Sequence, residues 1–128
     1  MSDVRTVLLF FLAMQAKHFL ADFPFQNGFM LRKRLPGWEF AFPLAVHCLV
    51  HASLSLAVLL FFRPSLWWLA GFDFATHFLM DRLKAGPKYL GRFNDPKTTA
   101  FWNAVGFDQM VHQLVYVAMA WRIFTPIS

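Results

Sequence analysis

Thiol chemistry is almost absent from this chain of 128 residues, in which Cys48 is the only cysteine. A single thiol excludes an intramolecular disulfide and a thiolate zinc site, so any metal ion would be held by nitrogen and oxygen. Also missing are a phosphate-cradling glycine loop, a dinucleotide-binding fingerprint and a His-Glu-x-x-His zinc-protease helix. There is no internal repeat and no low-complexity segment, and the length suits one domain. Apolar residues, by contrast, make up 58% of the chain and aromatic residues 19%, with 17 Phe and 5 Trp. That is too apolar for an ordinary soluble domain and points to an integral membrane protein. The mean hydropathy of +0.45 is modest for such a protein, because ionisable residues interrupt the apolar runs. Residues of that kind inside membrane segments are costly and mark functional sites.

The net charge of +5 does not imply nucleic acid as a partner. The basic residues cluster in short loops beside apolar spans, as expected next to anionic membrane lipids. The opening residues, through Arg5, precede an apolar run from Val7 to Met14 that resembles a signal sequence. It lacks a small-residue cleavage site, and His18 and Asp22 follow at once, so a retained first helix is expected.

Four helices are expected, at about Val4 to Phe23, Phe40 to Phe62, Pro64 to Lys84 and Pro96 to Phe124, each near the ~20 residues that cross a bilayer. Leu35-Pro36-Gly37 is a turn signal, Pro64 suits a first helical position, and Ala85-Gly86-Pro87 is a stop. Asp95-Pro96 reads as an N-cap followed by a first-turn proline, and Pro43 marks the start of the second helix or a kink within it. The fold class is therefore all-α, a polytopic transmembrane four-helix bundle running up-down-up-down. The first and third loops hold Arg32, Lys33, Arg34, Arg82, Lys84, Lys88, Arg92 and Lys97, whereas the opposite side has only Arg5, Arg63 and Arg122. By the positive-inside rule these two loops are cytoplasmic and both termini periplasmic, in a bacterial inner membrane.

Every histidine lies one helical turn from another potential ligand. The pairs are His18-x-x-x-Asp22, His47-x-x-x-His51, His77-x-x-x-Asp81 and Asp108-x-x-x-His112. Residues four apart share a helix face, with Cβ atoms roughly 5–6 Å apart, so each pair can aim at one target. Two pairs fall late in their helices and two early, which brings all four to a similar depth in the cytoplasmic half. Imidazole and carboxylate are preferred ligands of zinc, manganese and iron(II), and helix-borne pairs build metal sites in bundle cores. Eight candidate ligands exceed the four of a tetrahedral zinc, so two metals are implied, or one metal with outer carboxylates and a general base, for which Asp22 and Asp108 are candidates. Asp73 extends the third helix's polar face and could orient a histidine.

Competing readings exist for each feature. One His-x-x-x-Asp pair is more often a buried hydrogen-bond network that holds helices together; four at one depth favour a shared site. Asp/His chains also line proton and cation paths, and four helices are too few for a wide monomeric pore, so transport would require a homo-oligomer. Gln26 and Gln109 could orient a ligand or cap a helix. Lys84 could pair an anion or snorkel to the headgroups, and the same holds for Lys17 beside the first pair. Ser53 and Ser55 fit helix packing better than nucleophilic catalysis, and Trp67, Trp68 and Trp102 suit an interfacial belt.

The succession His18-x-x-x-Asp22-Phe23-x-x-Gln26, His47-x-x-x-His51, His77-x-x-x-Asp81-x-x-Lys84 and Phe107-Asp108-Gln109-x-x-His112 resembles the domain of unknown function 3307 family of bacterial and phage membrane proteins. The resemblance spans nearly the whole chain and implies a small integral membrane protein without implying a reaction. The residues themselves suggest a metal-dependent hydrolase of a lipid-like or anionic substrate, with a transporter or a non-enzymatic assembly factor as the alternative.

Overall fold

The computed structural model describes residues 3–126. Among them are four α-helices and no strands: α1 (Val4–Asp22), α2 (Ala41–Phe62), α3 (Leu69–Ala85) and α4 (Thr99–Phe124). Short 3₁₀ turns occupy Met30–Arg34, Pro64–Leu66 and Leu90–Arg92. The existence of all four helices agrees with the sequence pattern, and two starts differ. The third helix begins at Leu69 rather than Pro64, because Pro64 opens a separate 3₁₀ turn. The fourth begins at Thr99, and its N-cap is Thr98, whose Oγ1 accepts the backbone N–H of Phe101 at 3.4 Å. Asp95 caps a preceding turn instead, accepting the N–H of Lys97 at 3.0 Å. Pro43 sits in the first turn of α2, where its missing N–H has no helical partner to lose.

Each helix packs on its neighbours in the chain, and α4 closes back on α1. The larger apolar core gathers Phe10 and Met14 of α1, Leu59 of α2, Leu66 and Leu69 around the start of α3, and Tyr116, Met119 and Ile123 of α4. The Phe10 ring meets Phe62 and Phe124 edge-on, with both centroids 5.6 Å away. A smaller cluster of Phe40, Leu44 and Cys48 packs with Phe74 and Phe78 between α2 and α3.

The outer surface is also apolar. Leu8, Leu12 and Phe19 of α1, Leu49 and Phe61 of α2, Leu79 of α3, and Leu114, Val117 and Trp121 of α4 are all exposed, while His47, His51, Asp73 and His77 are fully buried. The bundle thus presents apolar side chains on its outer face and holds ionisable ones within. By length and composition two helices, α1 and α2, are apolar enough to cross a membrane. α3 has 17 residues and carries Asp73, Asp81, Arg82 and Lys84, and in α4 Asn103, Asp108, Gln109, His112 and Gln113 dilute the apolar content.

Two connections shape the entrance to the interior. Arg82 pins the first, its guanidinium donating to the carbonyls of Leu35 at 3.1 Å and Lys33 at 3.5 Å while lying 3.6 Å from the centre of the Phe40 ring. The turn beside it uses Gly37 at φ +65°, a conformation that penalises a Cβ. In the second connection Gly91 lies so close to Ala85 that a Cβ would stand 2.5 Å from the Ala85 carbonyl oxygen, so only glycine fits.

Candidate metal centre

All eight residues of the four pairs meet in one polar centre. The His18 ring lies 5.5 Å from His51, 6.2 Å from His77 and 5.5 Å from His112, centre to centre. His77 stacks between His51 at 4.0 Å and His112 at 4.1 Å, and His47 lies 4.8 Å from His51. One helical turn of spacing on each of four helices is what brings five imidazoles into contact.

The partners within the centre are not all those the spacing suggests. His18 Nε2 lies 3.0 Å from Asp22 and His112 Nε2 lies 3.1 Å from Asp108, both within their own helices. His47 and His51 instead share Asp22 of α1, at 3.4 and 2.8 Å. His77 pairs with Asp73 at 2.9 Å rather than with Asp81, because helix side chains lean toward the N-terminus and its ring reaches back one turn. Asp81 is thereby released to cross the bundle, reaching His47 at 3.1 Å, His112 at 3.2 Å and Lys33 at 3.0 Å.

Three sets of ligand atoms lie within 4.8 Å of one another: those of His18, His51 and His77; of Asp22, His47 and His51; and of Asp81, Asp108 and His112. Several imidazole nitrogens there have no hydrogen-bond partner although buried, namely both nitrogens of His47, Nε2 of His77 and Nδ1 of His112. His47 Nε2 is near two carboxylates, yet its orientation makes no hydrogen bond with either. Unpaired buried polar atoms are rare and costly. For His77, Nδ1–H donates to the Asp73 carboxylate at 2.9 Å, which leaves Nε2 with the lone pair, as in carboxylate–histidine–metal arrangements. A donor set of this kind could hold a metal ion.

Four carboxylates are balanced by three ammonium groups. Lys17 contacts Asp73 at 2.8 Å, Lys33 contacts Asp81 at 3.0 Å and Lys84 contacts Asp108 at 2.9 Å. Ser55 also donates to Asp73 at 2.5 Å. Gln109 links His18 to Asp108, with its Oε1 3.2 Å from the imidazole and its Nε2 3.0 Å from the carboxylate. Gln26 donates to the Asp22 carbonyl at 3.0 Å and accepts from Lys33 at 3.1 Å. Ser53, by contrast, faces outward.

Sequence reasoning gave no role in the centre to Lys33 or Tyr116. The tyrosine hydroxyl lies 2.7 Å from His18 Nδ1, and the spacing His112-x-x-x-Tyr116 carries the signal that finds it. Lys33 stands in a loop, where no periodicity points inward.

A cleft of about 650 Å³ leads to the centre from the side of the basic loops. Asp22, Asp81 and Asp108 face it, with Lys33, Arg34 and Lys84 around them and Leu31, Phe93, Phe101 and Val105 forming apolar wall. Beyond the centre, the fully buried Phe10, Met14, Leu59 and Met119 pack in the larger apolar core. These features define a class: a small all-helical protein, apolar outside, with a His/Asp centre of metal-binding composition at the end of a charged cleft. The chain belongs to the family described as Protein of unknown function (DUF3307), whose pattern matches residues 7–128. No curated protein and no solved structure matches it.

Proposed function

We propose that the protein is a metal-dependent hydrolase of the bacterial inner membrane, acting on an anionic, lipid-like substrate that enters the cleft from the cytoplasmic leaflet. The observation that carries this reading is the cleft floor, where Asp22, Asp81 and Asp108 stand beside imidazole nitrogens with no partner. The four helices run up-down-up-down across the bilayer, with the basic loops cytoplasmic and both termini periplasmic. The mixed apolar core supports that order, since it joins the starts of α1 and α3 to the ends of α2 and α4. The apolar outer faces support burial in lipid, where they need no water.

His18, His47, His51, His77 and His112, with Asp22, Asp81 and Asp108, would hold one or two ions, zinc first among the candidates. A bound ion of this kind lowers the pKa of a water ligand toward neutrality and polarises a phosphoryl or acyl oxygen. Asp22 is the most accessible acid of the centre, with 22% of its side chain exposed, and is the better placed of the two candidate bases to take a proton from water in the cleft. Asp108, 1% exposed, serves as a ligand oriented by Gln109, whose Nε2 donates to it at 3.0 Å. Gln109 orients His18, and Asp73 orients His77.

The competing reading is a structural polar core in a transporter or assembly factor. It draws on the three lysine–aspartate pairs, which balance most of the charge without any ion. The apolar core beyond the centre speaks against a through-path for ions. Elemental analysis of protein purified without chelator separates the two. About one or two zinc, manganese or iron ions per chain are expected, with His47→Ala and Asp108→Ala losing 10–100-fold in metal affinity while remaining inserted and helical. Metal-free wild-type protein would overturn the hydrolase.

A further inference from the structure

Lys33 and Lys84 contact two of the three carboxylates of the cleft floor, Asp81 and Asp108. Lys33 Nζ lies 3.0 Å from Asp81 Oδ2, and Lys84 Nζ lies 2.9 Å from Asp108 Oδ2. Their other oxygens lie 3.2 Å (Asp81 Oδ1) and 3.1 Å (Asp108 Oδ1) from His112 Nε2, and Asp81 Oδ2 itself also lies 3.1 Å from His47 Nε2. Each acid is thus shared between an imidazole of the candidate metal centre and an ammonium group at the cleft. The two lysines come from different elements, the 3₁₀ turn Met30–Arg34 and the last turn of α3. Lys84 is 38% exposed and Lys33 12%, and Arg34 lines the same cleft.

We propose that Lys33 and Lys84 form a binding site for a phosphate monoester, released for that role when a divalent ion takes charge from Asp81 and Asp108. This rests on the metal reading above. An ammonium group bound to a carboxylate is held by charge, and an ion on the carboxylate's other oxygen both neutralises that charge and repels the ammonium. Two lysines then need an acceptor within reach of the cleft. A phosphate monoester dianion fits: its three terminal oxygens serve two lysines and leave one for the metal side, whereas a single carboxylate headgroup carries too little charge for both. Leu31, Phe93, Phe101 and Val105 line the same cleft and suit the hydrocarbon part of a lipid phosphate. Metal and phosphate therefore bind with positive coupling, and by linkage each raises the other's affinity by the same factor.

The test uses the full chain in detergent, stripped with chelator and titrated calorimetrically with Zn²⁺. Inorganic phosphate, or a short-chain phosphonate analogue of phosphatidic acid that resists hydrolysis, is then added with and without the ion. Wild type is expected to bind phosphate groups tightly only with the ion present. Lys84→Gln, at a partly exposed position, should bind Zn²⁺ about tenfold more tightly and the phosphonate about tenfold more weakly, the worth of a single charge-assisted hydrogen bond in each case. Lys33→Gln should behave likewise, and Lys84→Arg should keep phosphonate binding. Preference for the phosphonate supports a lipid ligand, and equal affinity supports the same site with free phosphate. Zinc binding with phosphonate affinity unchanged in both glutamine variants would overturn the lysine site and leave the metal centre standing. Absence of zinc binding in wild type would overturn both.

Discussion

Asp73 and Asp81 lie two turns apart on α3, and each is buried with a histidine and a lysine for company. Their surroundings differ in access. Asp73 is fully buried in a closed set with Lys17, which is 3% exposed, Ser55 and His77, and it does not line the cleft. Asp81 faces the cleft, and its lysine is rooted in a loop. Similar chemistry therefore serves two ends: the closed set secures the bundle and aims His77, while the open set is free to exchange partners. The physical basis is the cost of an unpaired buried charge, which is severe without water and small where a side chain can swing to solvent.

The largest test of this contrast is Asp73→Asn, which takes from the buried Lys17 ammonium its carboxylate and leaves it only His51 Nδ1 at 3.4 Å. Breaking a buried pair costs about 3–5 kcal/mol, so thermal unfolding in detergent should fall steeply, with Lys17→Met in the same chain recovering much of the loss. Asp81→Asn should unfold near the wild-type temperature and lose metal instead. Equal destabilisation by Asp73→Asn and Asp81→Asn would erase the distinction between the two sets.

A smaller effect is expected at Ser55, whose hydroxyl donates to Asp73. Ser55→Ala should cost about 1 kcal/mol in the same unfolding assay. If its metal affinity also falls, then Asp73 aims His77 as well as holding Lys17; unchanged affinity would confine the closed set to stability.

The smallest effect belongs outside the centre, where Gln15 of α1 and Gln113 of α4 bond at 2.6 Å. On the proposed membrane reading such a bond is worth about 0.6 kcal/mol, so Gln113→Leu should shift unfolding slightly and leave metal content intact. A large loss of metal in that variant would show that the outer contact and the polar centre are not separable.

Periodicity alone made the helices legible, along with the inward face of each. Four-residue spacing is a property of the helix itself, so the convergence of His18, His47, His77 and His112 could be anticipated once four helices were assigned. Turn chemistry was legible only in part: Pro64 and Asp95 announced breaks, but the first turn that could propagate as an α-helix began several residues later in each case. Pairing across the bundle was beyond the sequence, because it depends on how far each side chain leans and which helix stands opposite. Asp73 therefore took His77, Asp81 crossed to His47 and His112, and Asp22 received both histidines of α2. Lys33 is the clearest such case, since a loop has no repeating face and only the Arg82 anchor on the carbonyls of Lys33 and Leu35 turns it into the cleft. Local spacing determined which residues face inward, and the packing of helices and loops decided which of them touch.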